Sequence, residues 1–383
     1  MDSWLERRQR ISTTDDLVEE ASRQLTICNA CRYCEGYCPV FPAIEIRREF
    51  HKGDVFYLAN LCHDCSACYY ACMYSPPHEF AINLPQIMSE ARLESYKAWS
   101  WPSFLGRSFK DSRIGVALAS FAVALILVLS MVFAGPNRVF ALHRGPGAFY
   151  EVIPFLAMFV PALALACYAA AVWVAGGARF WIKTGRLLRK QGGLRALAQA
   201  AGDVFRLRWL KGGGPGCYYP GARTSPLRRL YHSLVFYGFL SDLVSTTLAA
   251  IYQDLLHRLP PYSLTSAPVI FGTIGGIAMI VGVAGLMSIK LKNDQTHASA
   301  RALSLDYLFL LILGLTSLSG MLTLALRTTR AMGVILTIHL GLVAALFVTM
   351  PYGKFVHTLY RSLAIIKYRI EQLQSGAAGS HTS

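Results

Sequence analysis

Six long apolar segments follow one another from residue 114 onward, and each can cross about 30 Å of hydrocarbon as a helix. Charged residues make up 15% of the 383 residues, against roughly 25% in ordinary globular chains, which is too few to coat a soluble surface of this size. Buried helices of a large soluble domain are the alternative. Six apolar segments within one region are too many for a soluble core, so we set this alternative aside. We therefore predict six membrane-spanning helices, at residues 114–134, 152–175, 230–252, 267–289, 303–326 and 332–355.

The distribution of basic residues predicts the orientation of these spans. The segment 176–229 carries twelve Lys or Arg and one acid, Asp203, and basic loops prefer the cytoplasmic side. Six spans then place both termini in the cytoplasm. The segment is expected to contact anionic lipid headgroups or to steer an acidic flavoprotein. The net charge of +15 is spread over short loops and not gathered on one soluble face, so we expect no binding to nucleic acid.

Two runs with the same spacing contain eight of the ten cysteines. The runs are Cys28, Cys31, Cys34 and Cys38, followed by Pro39, and then Cys62, Cys65, Cys68 and Cys72. The spacing C-x₂-C-x₂-C-x₃-C is that of bacterial ferredoxins, where the fourth thiolate of each run reaches the other cluster. The sequence therefore predicts two [4Fe–4S] clusters, one held by Cys28, Cys31, Cys34 and Cys72, and the other by Cys62, Cys65, Cys68 and Cys38.

Structural zinc is the alternative for such cysteines, but zinc sites usually combine pairs of cysteines and not runs of three with a distant fourth. The first residues contain no apolar core of a signal peptide, so we expect the thiols to lie in the reducing cytosol. Met73 stands where the first run has its proline, and the pattern does not define the turn after Cys72.

Ionisable side chains inside membrane helices are costly and often functional. The predicted topology places His232 and His357 at one depth on the cytoplasmic side, where they suit the two axial ligands of a haem b. His339 is eighteen residues before His357, or about 27 Å along a helix, and therefore lies in the outer half. Asp242 lies toward the same half, so Asp242 and His339 are candidates for proton exchange with a quinone. A hydrogen bond that only locks their two helices is the alternative.

The spans also contain Gly272 and Gly276, a small-xxx-small pair that is suited to close helix packing. Residues 1–110 form the expected cysteine-bearing domain, residues 111–370 the membrane domain, and residues 371–383 a flexible tail.

Residues 227–360 resemble the haem-bearing gamma subunit of respiratory nitrate reductase, most specifically in the separation of His339 and His357. In that family each haem ligand on the last helix has a histidine partner on an earlier helix. Asp242 stands at one of those partner positions, ten residues after His232. The resemblance thus implies one haem b and leaves a second open.

The whole chain resembles the tricarballylate- and citrate-utilisation protein B family. The matching stretches are residues 25–38, 57–63, 67–72, 76–83 and 232–239. The resemblance implies a protein of the bacterial inner membrane, with [4Fe–4S] clusters and haem, that reoxidises an FAD-dependent dehydrogenase and passes its electrons to quinone. In this family the dehydrogenase acts on tricarballylate. A related domain is fused to a flavoprotein in cobalamin (ring-contraction) enzymes, so the family does not define the substrate.

These observations together predict an all-α membrane protein, with six transmembrane helices and an N-terminal cytosolic dicluster ferredoxin-type domain. No G-x-G-x-x-G follows a strand pattern, so flavin chemistry belongs to another chain, and this chain would be the quinone-reducing subunit of an oxidoreductase. One alternative is the same architecture serving a different dehydrogenase, of heterodisulfide or lactate type. Another is a transporter or a redox sensor with an iron–sulfur domain.

Overall fold

The computed structural model describes residues 9–109, 112–185, 193–212, 216–294 and 299–379. Within these ranges the regular structure is helical, apart from one isolated β-bridge between Tyr218 and Thr224. The predicted all-α membrane architecture is confirmed. The predicted domain junction, between residues 110 and 111, lies outside the described residues.

In the described N-terminal part, several helices bury their apolar faces in one core. α1 begins at a capping box, in which the Thr13 hydroxyl accepts from the backbone N–H of Asp16 and the Asp16 carboxylate accepts from that of Thr13. Leu25, Leu58 and Ile87 are fully buried in this core, from which the cysteine loops emerge. The helices are α1 (Thr14–Cys31), α2 (Val40–Glu45), α3 (Lys52–Leu61), α4 (Ala67–Tyr70), α5 (Leu84–Trp99) and α6 (Ser103–Ser108).

Six further helices are long and apolar enough to cross a membrane, as the sequence predicts. They are α7 (Ser112–Phe133), α8 (Phe155–Thr184), α10 (Leu227–Ala250), α11 (Ala267–Leu291), α12 (Ala300–Leu326) and α13 (Met332–Thr349). A shorter helix, α9 (Gly193–Phe205), lies between α8 and α10. The protein buries only 6% of the apolar window of α7 and 11% of that of α8, so most of their side chains are left for lipid.

The sixth span ends earlier than the hydropathy predicts. α13 stops at Thr349, and a 3₁₀ turn at Lys354–Val356 separates it from α14 (His357–Gly379). Pro351 has no N–H to continue the helical ladder, and its ring clashes with the preceding turn. His357 therefore begins a new helix and does not lie at the end of the sixth span.

α14 joins the N-terminal part to the membrane helices. Its residues Tyr360, Ala364 and Ile365 belong to the same hydrophobic core as α1, α3 and α5. Phe180 near the end of α8 and Leu305 near the start of α12 belong to it as well. One continuous core therefore spans the boundary between the two parts of the chain.

The structure also continues α14 into the expected tail. Residues 371–379 are helical, and residues 380–383 lie outside the described part. The buried carboxylate of Glu371 pairs with the Arg47 guanidinium at 2.5 Å and accepts from the Tyr57 hydroxyl at 2.9 Å. These contacts attach the first residues of the expected tail to the N-terminal part.

α10 and α11 pack with their backbones in close approach. A Cβ added to Gly275 would lie 2.8 Å from the carbonyl oxygen of Gly238. Gly272 and Gly276 both lie in close helix contacts, as the small-xxx-small pair predicts, but with different partners: Gly272 lies against Ser245 of α10 and Gly276 against Met321 of α12. Residues four apart on a helix are rotated from each other by about 40°. In α11 this rotation is enough for the two glycines to contact two different neighbouring helices.

Candidate functional site

The first three cysteines of the first run and Cys72 line one cavity beside α1. Cys28 and Cys31 lie in the last turn of α1, and Cys34 follows in the next turn. Cys31 is exposed, and the remaining described residues that line this cavity are uncharged. The first predicted ligand set is therefore brought together in space, with Cys68 as a further neighbour.

A second cavity is lined by Cys38, Cys62, Cys65 and Cys68. Cys62 caps the end of α3, and Cys68 lies in α4. The chain thus carries Cys38 from the first run to the second ligand set, as the crossed assignment predicts. Cys68 lines both cavities, so the two sets are neighbours.

The two runs end differently. Cys38 is followed by Pro39, which caps α2 with a φ of −64°. Cys72 is not followed by a helix, and its carbonyl oxygen instead accepts from the Ser75 hydroxyl at 2.8 Å. Met73 lacks the ring that presets φ at the start of a helix, and this accounts for the different turn.

Left-handed backbone turns shape both cysteine loops. Arg32, directly after Cys31, has a φ of 54°, and Asp64 and Ser66, on either side of Cys65, have φ of 54° and 59°. A residue with a Cβ pays roughly 1–2 kcal/mol for this conformation, and such strain tends to cluster at functional sites. Each strained position is adjacent to a predicted ligand.

The donor chemistry of the two groups fits iron. Burial, followed by the neighbouring thiolates of Cys72 and Cys34, raises the pKa of Cys28 to about 12. Burial also raises the pKa of Cys65 to about 12. Thiols crowded in this way ionise together when a metal supplies positive charge between them. In the described ranges no group of three or more His, Cys, Asp or Glu could hold a single metal ion.

His232 and His357 face each other, with ring centroids 6.4 Å apart and ring planes at 85°. Two imidazoles on opposite sides of one metal ion, each bound at about 2.0 Å, would have centroids about 6.3 Å apart. The Nδ1 of His357 donates to the carbonyl of Lys354 at 2.6 Å, as metal-bound histidines usually do through the nitrogen that does not bind. The Nδ1 of His232 is buried and has no hydrogen-bond partner among the described residues.

Two cavities meet at this histidine pair. His232 and His357 both line two clefts open to solvent, of about 1130 and 510 Å³. A planar ligand held between two imidazoles needs open space beside the line that joins them, and the clefts supply such space. The paired histidines and the two cavities therefore fit a haem. The sequence reasoning that placed both histidines at one depth agrees with this geometry, although His357 reaches it from α14.

Two arginines that the sequence analysis did not single out connect the histidines to the second cysteine loop. Arg228 lies four residues before His232 and donates to the carbonyls of His63 and Asp64 at 2.8 and 2.6 Å. Arg361 lies four residues after His357 and donates to the carbonyl of Cys62. Residues four apart share a helix face, so each arginine points to the same side as its histidine.

This arrangement corrects the reading of Arg228 as part of a segment that faces lipid headgroups. α10 begins at Leu227, before the expected start at residue 230, and turns the guanidinium inward. Each arginine is four residues from one of the paired histidines. This spacing could have predicted that both arginines point toward the histidine site, but only after the two histidines had been recognised as a pair.

A buried charge cluster, also missed from the sequence, lies in the larger cleft. The Asp306 carboxylate pairs with Lys290 at 2.6 Å and with Lys354 at 2.7 Å. These side chains come from α12, α11 and the turn before α14. The cluster therefore ties together the helices that surround the histidine pair, and it leaves one cation in excess.

Asp242 and His339 are not brought together as a pair. The Asp242 carboxylate lies against Gly275 of α11, because a Cβ there would be 2.2 Å from its Oδ1. The Nδ1 of His339 lies 3.1 Å from the Ser319 hydroxyl of α12. Within the described part of the chain no hydrogen bond joins Asp242 to His339, so the expected helix-locking bond is not formed.

A cysteine-rich domain packed on six membrane-spanning helices defines a membrane iron–sulfur electron-transfer protein. Comparison with known sequences gives the family. A family model described as Citrate utilization protein B matches residues 110–378, and one described as Citrate utilization protein B Fer4-like domain matches residues 21–98. The chain belongs to this family, which confirms the resemblance inferred from its motifs.

The Citrate utilization protein B of Escherichia coli is similar along nearly its whole length. It is 42% identical over 365 residues, and the alignment covers 94% of each chain. No solved structure matches the chain.

Proposed function

We propose that this protein carries electrons from a reduced FAD-dependent dehydrogenase, of the tricarballylate type, to membrane quinone. Cys28, Cys31, Cys34 and Cys72 would hold the first [4Fe–4S] cluster and Cys62, Cys65, Cys68 and Cys38 the second, while His232 and His357 would bind one haem b. Iron–sulfur clusters and haem iron each exchange single electrons, whereas a reduced flavin holds two. The protein would lie in the bacterial inner membrane with both termini in the cytoplasm.

The attachment of the second cysteine loop to the histidine pair is the observation that carries this proposal. Arg228 and Arg361 hold the backbone of residues 62–64 through carbonyl contacts, and each lies one helical turn from a histidine. The loop that would hold one redox centre is thereby fixed against the helices that would hold the next. A regulatory domain without onward electron transfer would need no such connection.

Electron entry is assigned to the first cysteine group, because Cys31 is exposed. Tyr33 and Met73 line the same cavity as Cys31 and are 58% and 61% exposed. An apolar, aromatic surface beside a redox centre suits docking of a protein partner. The FAD-dependent dehydrogenase would dock here.

For the acceptor we retain Asp242 and His339 as candidates for proton exchange with quinone in the outer half of the membrane. Because each lies against a different helix, they would act from two positions and not as one pair. His339 keeps a hydroxyl partner, Ser319, through which its ring is oriented.

A reduced-minus-oxidised visible spectrum of the purified protein tests the proposal directly. We expect a b-type haem signal together with about eight irons per chain beyond the haem iron. A membrane transporter or a redox sensor with the same iron–sulfur domain would show the irons without the haem. Identification of the flavoprotein that co-purifies in mild detergent separates a tricarballylate dehydrogenase from another dehydrogenase served by the same architecture.

A further inference from the structure

Three guanidinium groups converge on the backbone of the second cysteine loop. Arg92 of α5 donates to the carbonyl of Cys62 at 2.7 Å, beside the contacts of Arg228 and Arg361 with residues 62–64. We call Arg92, Arg228 and Arg361 the arginine triad. Its members come from the N-terminal part, from the start of α10 and from α14, so three separate elements deliver positive charge to one loop.

The triad is short of negative charge. None of its members forms an ion pair with a carboxylate among the described residues, and Arg92 is only 5% exposed. Burial and the neighbouring guanidinium of Arg92 lower the pKa of Arg361. The acids that line the same cleft are Asp64, which interacts electrostatically with Arg228, and Asp306, which is already paired with Lys290 and Lys354. Carbonyl oxygens satisfy hydrogen bonds but do not neutralise charge, and an uncompensated buried cation is costly.

An iron–sulfur cluster in the second cysteine group would supply the missing anion. A [4Fe–4S] cluster bound by four thiolates carries net negative charge, and reduction adds one more. The first group differs in its charged surroundings. No charged residue among those described lines its cavity, whereas Asp64 lines the cavity of the second group and the three guanidinium groups of the triad contact the backbone of that group's loop. Burial alone would disfavour an extra electron on the second cluster, which is the inner one, since low dielectric penalises added charge. The first cluster, beside the exposed Cys31, is the outer one. Without compensation the electron would therefore remain on the outer cluster.

We infer that the arginine triad raises the reduction potential of the second cluster above that of the first, and so directs each electron inward to the histidine pair. The inference rests on the proposed electron-transfer function and adds a direction to it. In this step the first cluster is oxidised by one electron and the second is reduced by one. No bond forms or breaks, and no proton moves.

The test is a redox titration of the purified full-length protein with dithionite, followed by electron paramagnetic resonance, which reports the two clusters separately. Each of Arg92→Gln, Arg228→Gln and Arg361→Gln should lower the reduction equilibrium constant of the second cluster about tenfold, which is about 59 mV for one electron. The first cluster should stay within threefold of its original value. Arg179→Gln is the matched control, because Arg179 also donates to a backbone carbonyl, that of Ser100, away from the cysteines.

Lysine variants separate charge from hydrogen-bond geometry. Arg361→Lys and Arg228→Lys keep the charge but lose the planar fork, and we expect the potential of the second cluster to stay within threefold. The inference is wrong if lysine shifts the potential as much as glutamine does. It is also wrong if the glutamine variants shift both clusters equally, or if they release haem while the second cluster keeps its potential.

One measurement needs no arginine variant. In the unmodified protein the second cluster, recognised by its loss in Cys38→Ser, must have the higher potential of the two, and the reverse order would overturn the inference. Iron content and the haem spectrum of the same sample test the proposed function separately. Clusters and haem present with the potentials in reverse order would remove the triad's role and leave electron transfer in place, whereas absent clusters would remove both.

Discussion

His232 and His339 are both imidazoles on membrane helices, but their surroundings separate them. His232 faces a second imidazole at 6.4 Å, whereas His339 contacts the Ser319 hydroxyl. A haem with two axial histidines needs the first arrangement, and orientation by a hydroxyl suits proton exchange. The two surroundings therefore fit different chemistry, although the sequence shows the same residue type in both spans.

Substitution of either paired histidine should remove the haem. We expect His357→Ala and His232→Ala to abolish the b-type Soret band, because one imidazole cannot replace both axial ligands. His339→Ala is the control and should keep the full band while quinone reduction slows. Loss of half the haem in His339→Ala would mean that a second haem exists and that Asp242 has been misread.

The crossed ligand sets give a second prediction for single residues. Cys38→Ser should damage the cluster held by Cys62, Cys65 and Cys68 and should spare that of its own sequence neighbours. Electron paramagnetic resonance with an iron assay measures this, and about four irons should remain. If each run closed its own cluster, Cys38→Ser would instead damage the centre that contains Cys28.

At the scale of helices, close approach between α10 and α11 determines where His232 lies. Gly238 and Gly275 let the two backbones meet, and a side chain at either position would collide with the other helix. The hydropathy of the sequence predicts all six spans, because long apolar runs have few alternatives. It does not predict which glycine meets which helix, since that depends on rotation about each axis.

A methyl group at this crossing should displace α10 and with it His232. We expect Gly275→Ala to cost about 1–3 kcal/mol by overpacking and to reduce haem content. Thermal unfolding in detergent and the Soret absorbance measure the two effects. Gly202→Ala in α9 is the control, because no atom lies within 4 Å of its added Cβ, and it should leave haem content unchanged. Equal haem loss in both variants would contradict the role given to the crossing.

The docking of α14 was not predictable from hydropathy. Hydropathy alone predicts one helix over the apolar run 332–355. The helix ends at Thr349 because Pro351 lacks a backbone N–H, which a hydropathy pattern does not register. The contact of Arg361 with the cysteine loop was missed for the same reason, because the direction of the Arg361 side chain depends on a helix that starts at His357. Contacts between distant segments, such as the ion pair of Glu371 with Arg47, cannot be predicted from the local sequence around either residue.

Removal of the Glu371 carboxylate should loosen α14 from the N-terminal part. Arg47 is 10% exposed and keeps Asp54 as a second partner. Loss of a buried partner costs 3–5 kcal/mol when the remaining charge is left alone, so Glu371→Gln should cost about 2–3 kcal/mol in thermal unfolding. Asp15→Asn, which breaks an exposed pair with Lys52, is the control at about 0–1 kcal/mol. A cost for Glu371→Gln no greater than the control would show that α14 is held by other contacts.

For the whole molecule, the proposed redox sites lie in sequence from an exposed cysteine group to a cluster loop and then to the histidine pair. The cysteine spacing and the family resemblance predicted the components of this order. They did not predict its attachment points, because the arginine triad is assembled from three elements far apart in the chain. Only the folded arrangement shows which cysteine group faces outward.

A serial order predicts that loss of the outer cluster blocks entry from a protein donor. In Cys31→Ala we expect the co-purified reduced flavoprotein to leave the haem oxidised, whereas dithionite still reduces it. Stopped-flow absorbance at the haem band measures both rates. Normal haem reduction by the flavoprotein in this variant would show that electrons enter at the second cluster.

The position of α14 also has a consequence for how the protein is made. Arg361 and the Cys62 carbonyl come from opposite ends of the chain, and the ribosome releases α14 after all six spans. The contact between α14 and the 62–64 loop therefore forms only after the last span has been made. A cluster delivered to the second cysteine group during translation would meet this loop before Arg361 holds it.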